Sequence, residues 1–163
     1  MEFVLDNTDL QILELMQDNA RISNVDMAKK LDMAPSAVLE RVKKLEQKKV
    51  ILHHTTVINP IALGQKLLAF IFIRASDGMG CSVTGPLLAK IPEVQEVHNI
   101  AGDDCYLVKV RVADSASLID LMRTKFAKIP NVLSTKTTIV LETVKEEQKI
   151  TIPVPVTTLV SKK

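Results

Sequence analysis

The pattern I-P-x-V occurs twice in the second half of the chain, at residues 91–94 and 129–132, 38 residues apart. Each copy follows an amphipathic helical segment and leads into a β-rich one. A strand precedes each helix: residues 66–75 read KLLAFIFIRA, and residues 106–112, YLVKVRV, alternate apolar and polar side chains. The order strand, helix, strand, strand, helix, strand predicts a ferredoxin-like βαββαβ domain over residues 65–145.

The segments that follow the two I-P-x-V copies are expected to form strands over residues 94–100 and 132–144. In this fold the helices cover one face of an antiparallel sheet and leave the other face bare. A bare sheet face with apolar residues requires a partner, so we expect the protein to form a homodimer.

The first fifty residues contain the start signals of three short helices. Asp6 with Asp9, and Ser23 with Asp26, have the spacing of an N-cap and its first-turn partner. Pro35 is well placed as the first residue of the third helix. A short second helix, a three-residue turn and a longer third helix match the helix-turn-helix plan.

Positive charge is concentrated on the third helix. Residues 1–35 carry three basic and seven acidic side chains, whereas residues 36–54 carry five basic and two acidic ones. Lysine neutralises phosphates and arginine can also pair with guanine, so residues 1–50 are interpreted as a winged-helix-like DNA-binding domain. An ordinary three-helix bundle with one solvated face has the same periodicity and stays open as the alternative. A membrane-binding helix is disfavoured, because the apolar face is narrow and lacks bulky aromatic residues.

Two further segments complete the predicted organisation of an α+β protein. Residues 51–64 are interpreted as a linker strand between the domains, with a turn at Asn59 and Pro60. Residues 146–163 form a C-terminal extension.

The amino-acid composition indicates the cellular compartment of the protein and the kinds of partner that it can bind. Aromatic residues make up 3% of the chain and tryptophan is absent, which argues against a stacking platform for single-stranded nucleic acid. Cys81 and Cys105 have no CxxC spacing and indicate a reducing compartment. The N-terminus has no signal-peptide pattern, and the longest apolar run, residues 67–73, is too short to span a membrane. The chain is therefore expected to be a soluble cytoplasmic protein.

Catalytic and metal-binding patterns are not found. The sequence has no glycine-rich phosphate loop, no serine nucleophile elbow and no HExxH motif, so we expect no enzymatic activity. Cys105, with two aspartates before it and His98 nearby, suggests a metal or thiol site, but no recognised ligand spacing is present. A buried structural cysteine is favoured, and no metal or cofactor is expected.

Five segments, in their order along the chain, resemble the Lrp/AsnC family, the feast/famine transcription regulators. They are LDNTDLQIL (5–13), NARIS (19–23), APSAVLERVKKLEQKKVI (34–51), AGDDCYLVKVRV (101–112) and TKTTIVL (135–141). The resemblance implies a nucleoid-associated regulator that binds double-stranded DNA and dimerises through its C-terminal halves. It also implies octamers of four dimers and a free amino acid bound between dimers. The alternative is an effector-free, weakly specific DNA-organising oligomer.

The resemblance also assigns residues to the two sites. Residues of the third helix are placed at or near DNA, with Lys43 added for its charge: Ser36, Ala37, Glu40, Arg41, Lys43 and Lys44. The effector site is placed in one loop and one strand: Gly102, Asp103, Asp104, Cys105, Tyr106 and Thr137.

The chain departs from the family pattern in its DNA-binding half at three positions. Asp32 and Lys49 stand where the family usually has glycine, so we expect either the left-handed conformation without the freedom of glycine or a shift of the local geometry. Ala34 stands where a capping serine is usual, and losing that cap costs about 1 kcal/mol.

A fourth departure concerns the effector. Cys105 stands where the family usually has an acidic residue that would pair with a ligand ammonium group. Asp103 or Asp104 would have to take that role, and the pocket is expected to be less anionic than usual. We therefore expect a neutral amino acid as the effector.

Overall fold

The structure, a computed structural model, describes residues 4–76 and 83–153 and divides into two compact units. One unit is built from Met1–Val57 with Glu147–Lys163, and the other from Ile58–Glu146. Part of the segment interpreted as the linker therefore groups with the second unit. Within the described ranges, no helix is long and apolar enough to cross a membrane.

Three helices form the body of the first unit: α1 (Asn7–Asp18), α2 (Asn24–Leu31) and α3 (Pro35–Gln47). The predicted start signals are confirmed. The Asp6 side chain caps α1 in a reciprocal capping box, the Ser23 side chain caps α2, and α3 begins at its proline. These caps satisfy backbone N–H groups that have no partner inside the helix.

The left-handed conformation is found in the turn before α3 and two residues beyond the end of α3, as predicted. Asp32 has a φ of 51° and Lys49 a φ of 60°, so both are left-handed without being glycine. Ala34 makes no side-chain cap bond to α3. Apolar packing holds the three helices together, through a buried cluster of Ile12, Met27, Ala28, Val38, Val42 and Leu45.

The second unit has the predicted ferredoxin-like order of elements. These are β1 (Leu67–Ala75), α4 (Thr84–Leu88), β2 (Val94–Asn99), β3 (Tyr106–Val112), α5 (Ser115–Thr124) and β4 (Val132–Ile139). The strands form one antiparallel sheet in the order β2-β3-β1-β4. Leu118 and Leu121 of α5 are buried in the same core as Ile71 and Val108, so the helices cover one face of the sheet.

The last strand is shorter than the predicted range of 132–144. It ends at Ile139, and the Val140 N–H then donates to the Leu68 carbonyl oxygen at 2.9 Å. Beyond that bond the chain leaves the ladder, because Glu146 forms ion pairs with side chains of β3 on the face away from the helices. An edge strand cannot continue straight and also reach a strand two positions away in the sheet.

The linker, expected as a strand, is irregular over residues 52–59. A strand needs a neighbouring strand for its backbone hydrogen bonds, and this segment joins no sheet in the described part of the chain. The predicted turn is a short 3-10 helix, Pro60–Leu63, capped by the Asn59 side chain, which accepts a hydrogen bond from the Ile61 N–H at 3.0 Å.

Candidate nucleic-acid interface and effector loop

The six α3 residues predicted near DNA lie on two adjacent stripes of the helix. Ser36, Glu40 and Lys43 follow the spacing of four and three residues that places side chains on one helix face. All three are exposed to solvent. This exposed stripe, Ser36/Glu40/Lys43, is free to approach another molecule.

The second stripe, Ala37/Arg41/Lys44, lines a groove against the start of α1, which Glu40 of the first stripe also borders. Arg41 Nη1 lies 2.7 Å from Asp6 Oδ2 and 2.7 Å from Asp9 Oδ1. The Asp9 N–H first, and then the Arg41 guanidinium, hold the pKa of the Asp6 carboxyl below its ordinary value of 3.8. The two carboxylates raise the pKa of the Arg41 guanidinium.

From the sequence, Asp6 and Asp9 are predicted only as capping residues. Their bonds to Arg41 join residues 35 and 32 positions apart. No local pattern shows which acids of one helix face an arginine of another, so charge alone could not reveal this pairing.

The loop between β2 and β3 holds the first predicted effector residues. Gly102 has a φ of 140°, a conformation that favours glycine. Asp103 is exposed and Asp104 is half-buried. The loop therefore presents carboxylates beside a turn that glycine makes possible.

Cys105 lies against the backbone of β1. Its N–H donates to the Ile73 carbonyl oxygen at 2.8 Å, and its Sγ is 3.4 Å from both the N and the O of Ala75. In the described residues no group of three His, Cys, Asp or Glu side chains is placed to hold a metal ion. Cys81 lies outside those residues.

Tyr106 and Thr137 lie on the same face of the sheet, but β1 separates them. Tyr106 pairs with Ile73, whereas Thr137 pairs with Ile71 two residues along β1. Two strand spacings and two residues along the strand place their Cα atoms roughly 12 Å apart. The Tyr106 side chain is buried, whereas Thr137 is exposed. One chain therefore does not bring these two predicted site residues into contact.

The opposite face of the sheet carries an ion-pair network that sequence analysis did not identify. Lys109 Nζ pairs with Glu96 at 2.9 Å and also with Glu146, which accepts a second bond from Arg111 at 2.8 Å. Lys109 is the main cause that lowers the pKa of Glu96 and of Glu146. Through Glu146, the network holds the segment that follows β4 against the face of the sheet away from the helices.

Two family models match the chain, one for each unit. The model described as winged helix-turn-helix DNA-binding matches residues 5–51. The model described as Lrp/AsnC ligand binding domain matches residues 68–150. The matched ranges contain the helices and, apart from Leu67 at the start of β1, the sheet described above.

Curated relatives match over most of the chain. The leucine-responsive regulatory protein of Haemophilus influenzae is 38% identical over 144 residues, covering 87% of this chain and 87% of the relative. The protein of the same name from Escherichia coli K12 is 35% identical over 150 residues, covering 91% and 92%.

Solved structures show the same fold. The feast or famine regulatory protein of M. tuberculosis complexed with L-methionine superposes with a TM-score of 0.84 at 31% identity, covering 92% of this chain and 100% of that one. E. coli AsnC superposes with a TM-score of 0.83 at 26% identity, covering 93% and 100%.

Proposed function

The chain belongs to the Lrp/AsnC family of DNA-binding transcription regulators, and we propose that it reads operator DNA with α3 and adjusts that binding to a free amino acid. The observation that carries the proposal is the exposed stripe of α3, which lies on the second helix of a helix-turn-helix within the matched DNA-binding range. In this motif the second helix enters the major groove of DNA.

We propose that six residues of α3 lie at or near DNA: Ser36, Ala37, Glu40, Arg41, Lys43 and Lys44. Serine and glutamate can exchange hydrogen bonds with base edges, and lysine neutralises phosphates. The exposure of Lys43 and Lys44 supports the phosphate role. No catalysis is part of the proposed function, and the proposed location is the cytoplasm, on nucleoid DNA.

The proposed effector is a neutral amino acid, bound by residues 102–106 and Thr137. The relative whose structure contains L-methionine supports an amino-acid ligand. Asp103 or Asp104 would accept the ligand ammonium group, and the turn at Gly102 would let backbone N–H groups meet its carboxylate. The Cys105 thiol is hydrogen-bonded to the backbone of Ala75 and is not the acidic residue usual at this position, which favours a ligand without a charged side chain. No other cofactor is proposed.

The proposed assembly is a homodimer through the sheet, with four dimers forming an octamer. The separation of Tyr106 from Thr137 supports a site completed by more than one chain, since neither residue reaches the other within one. Phe70 and Phe72 lie half-buried on the face away from the helices, and they favour contact with a second sheet.

Two measurements test this proposal. Selection from a randomised duplex pool should enrich pseudo-palindromic sites with half-sites about 10 bp, or a multiple of that, apart. Calorimetry against the twenty amino acids should detect binding of at least one neutral amino acid. Enrichment of no sequence would instead indicate a DNA-organising oligomer, and binding only of lysine or arginine would contradict the charge argument.

A further inference from the structure

Arg41 is bonded to the same two carboxylates that cap α1. Asp6 uses Oδ1 to accept the Asp9 N–H at 2.8 Å, and its Oδ2 accepts from Arg41. Asp9 uses Oδ2 to accept the Asp6 N–H at 3.3 Å, and its Oδ1 accepts from Arg41. Each carboxylate thus accepts a capping hydrogen bond with one oxygen and a hydrogen bond from Arg41 with the other.

The burial of the cluster makes it stronger than an ordinary surface pair. The Asp9 side chain is 17% exposed and the Arg41 side chain 31% exposed, whereas Asp6 is 54% exposed. Hydrogen bonds between charged groups are about twice as strong as neutral ones, and partial burial reduces their screening by solvent. The bond to Asp9 is therefore the stronger of the two ionic links between the start of α1 and the middle of α3.

Both bonds use Nη1 of Arg41, so turning that nitrogen toward a base would break them. The Asp9 carboxylate would then be left partly buried without its cation, which is costly. In its observed position Arg41 instead neutralises two acids on the DNA-binding unit.

We infer that Arg41 is a positioning residue, which orients α3 through Asp6 and Asp9 while the exposed stripe Ser36/Glu40/Lys43 makes the contacts to DNA. This inference rests on the proposed function. The orientation of α3 then affects binding to every DNA sequence. The exposed stripe decides which DNA sequence is preferred.

The test compares variants for affinity and for base preference on one duplex selected with the wild-type protein and on all its single-base-pair variants. Asp9→Asn and Arg41→Gln should each weaken binding to every duplex alike, by about tenfold, because both disturb the same link. The double variant, Asp9→Asn with Arg41→Gln, should bind DNA about as well as either single variant, since each substitution alone already removes the ion pair. Arg41→Lys keeps a cation beside the carboxylates and should recover most of the affinity with the base preference unchanged.

Lys43→Gln is the matched control, because it removes a cation from the exposed stripe without touching the acids. It should flatten the dependence of binding on salt, which the Asp9→Asn variant should leave nearly unchanged. Thermal unfolding of each variant shows whether it is folded. If Arg41→Gln does not fold, the binding of Asp9→Asn still tests the inference.

Two results would overturn the inference while leaving the proposed function intact. One is loss of discrimination by about tenfold at a single base pair in Arg41→Lys, the result expected of a base contact. The other is unaltered binding by Asp9→Asn. Failure of the wild-type protein to bind any selected duplex would instead contradict the proposed function itself.

Discussion

Gly85 of α4 lies directly against the ring of Tyr106 on β3. A Cβ atom at Gly85 would stand 2.9 Å from Tyr106 Cε1, closer than such atoms approach in folded proteins. The Tyr106 side chain is 2% exposed, so its ring has little room to move aside. Because Gly85 has no side chain, α4 packs closely on the sheet beside the proposed effector loop.

Gly85→Ala is therefore expected to destabilise the second unit. Inserting a methyl group into a close-packed site costs about 1–3 kcal/mol in the free energy of unfolding. Chemical denaturation followed by circular dichroism measures this cost. In a Tyr106→Leu background the same substitution should cost less, because the ring that it meets is gone; an equal cost in both backgrounds would contradict the steric explanation.

The ion pairs of Glu146 should make the second unit sensitive to acid. A carboxyl whose pKa falls on folding stabilises the folded state above its unfolded pKa, which is about 4.5 for glutamate. That contribution is lost as the pH falls through the lower, folded pKa. Since the Glu146 side chain is 40% exposed, solvent screening limits its contribution to about 0.5–1 kcal/mol.

Glu146→Gln should accordingly lower the stability of the protein at pH 7, and the difference from wild type should shrink below pH 4.5. Thermal unfolding at a series of pH values measures both effects. Glu142→Gln changes an exposed carboxylate on the same segment and serves as the control. A difference between Glu146→Gln and wild type that grows with acid would contradict this account.

Gln17 of α1 holds the backbone of Ile150 through two hydrogen bonds. Its Nε2 donates to the Ile150 carbonyl oxygen at 3.0 Å, and its Oε1 accepts from the Ile150 N–H at 2.9 Å. Lys149 adds an ion pair with Asp18. The described part of the C-terminal extension is thereby attached to the first helix of the DNA-binding unit.

Gln17→Ala should release this attachment, because both bonds depend on one carboxamide. Each exposed hydrogen bond contributes about 0.5–1.5 kcal/mol, so hydrogen exchange at the Ile150 amide should quicken by about fivefold or more. Mass spectrometry of the C-terminal peptide measures the rate. Gln11→Ala alters an exposed glutamine of the same helix and should leave the rate as in wild type.

The features predicted correctly from the sequence depend on neighbouring residues. The cap of Asp6 and the start of α3 at Pro35 involve residues at most three positions apart, and their signals are local. The ferredoxin-like order was predictable because alternation and helical spacing are also local. Asp32 is predicted to be left-handed because the family that the sequence resembles usually has glycine there, and its φ of 51° confirms this.

The features that were missed depend on residues far apart in the chain. Glu146 reaches Arg111 across 35 positions, and this contact, rather than any turn signal, accompanies the early end of β4. The charge of α3 predicts Arg41 near DNA, but it does not reveal that Asp9 on another helix is a partner of Arg41. Periodicity reports which face of a helix is polar, but it does not report which polar groups face one another.

Lys49 is expected to be a site where glycine stabilises the protein. Its φ of 60° lies in the left-handed region, where a Cβ atom costs about 1–2 kcal/mol. Glycine relieves this strain but adds freedom to the unfolded chain, which offsets part of the gain. Lys49→Gly should therefore raise the free energy of unfolding by about 0.5–1 kcal/mol, as measured by denaturant titration.

Lys48→Gly provides the matched control for Lys49→Gly, since it removes the same charge from the adjacent position. Lys48 has a φ of −75°, an ordinary right-handed conformation, so glycine relieves no strain there. This variant should instead lose about 0.5–1 kcal/mol, because only the entropic cost of glycine remains. Equal shifts in the two variants would show that the lost charge, and not the backbone conformation, decides the stability of this turn.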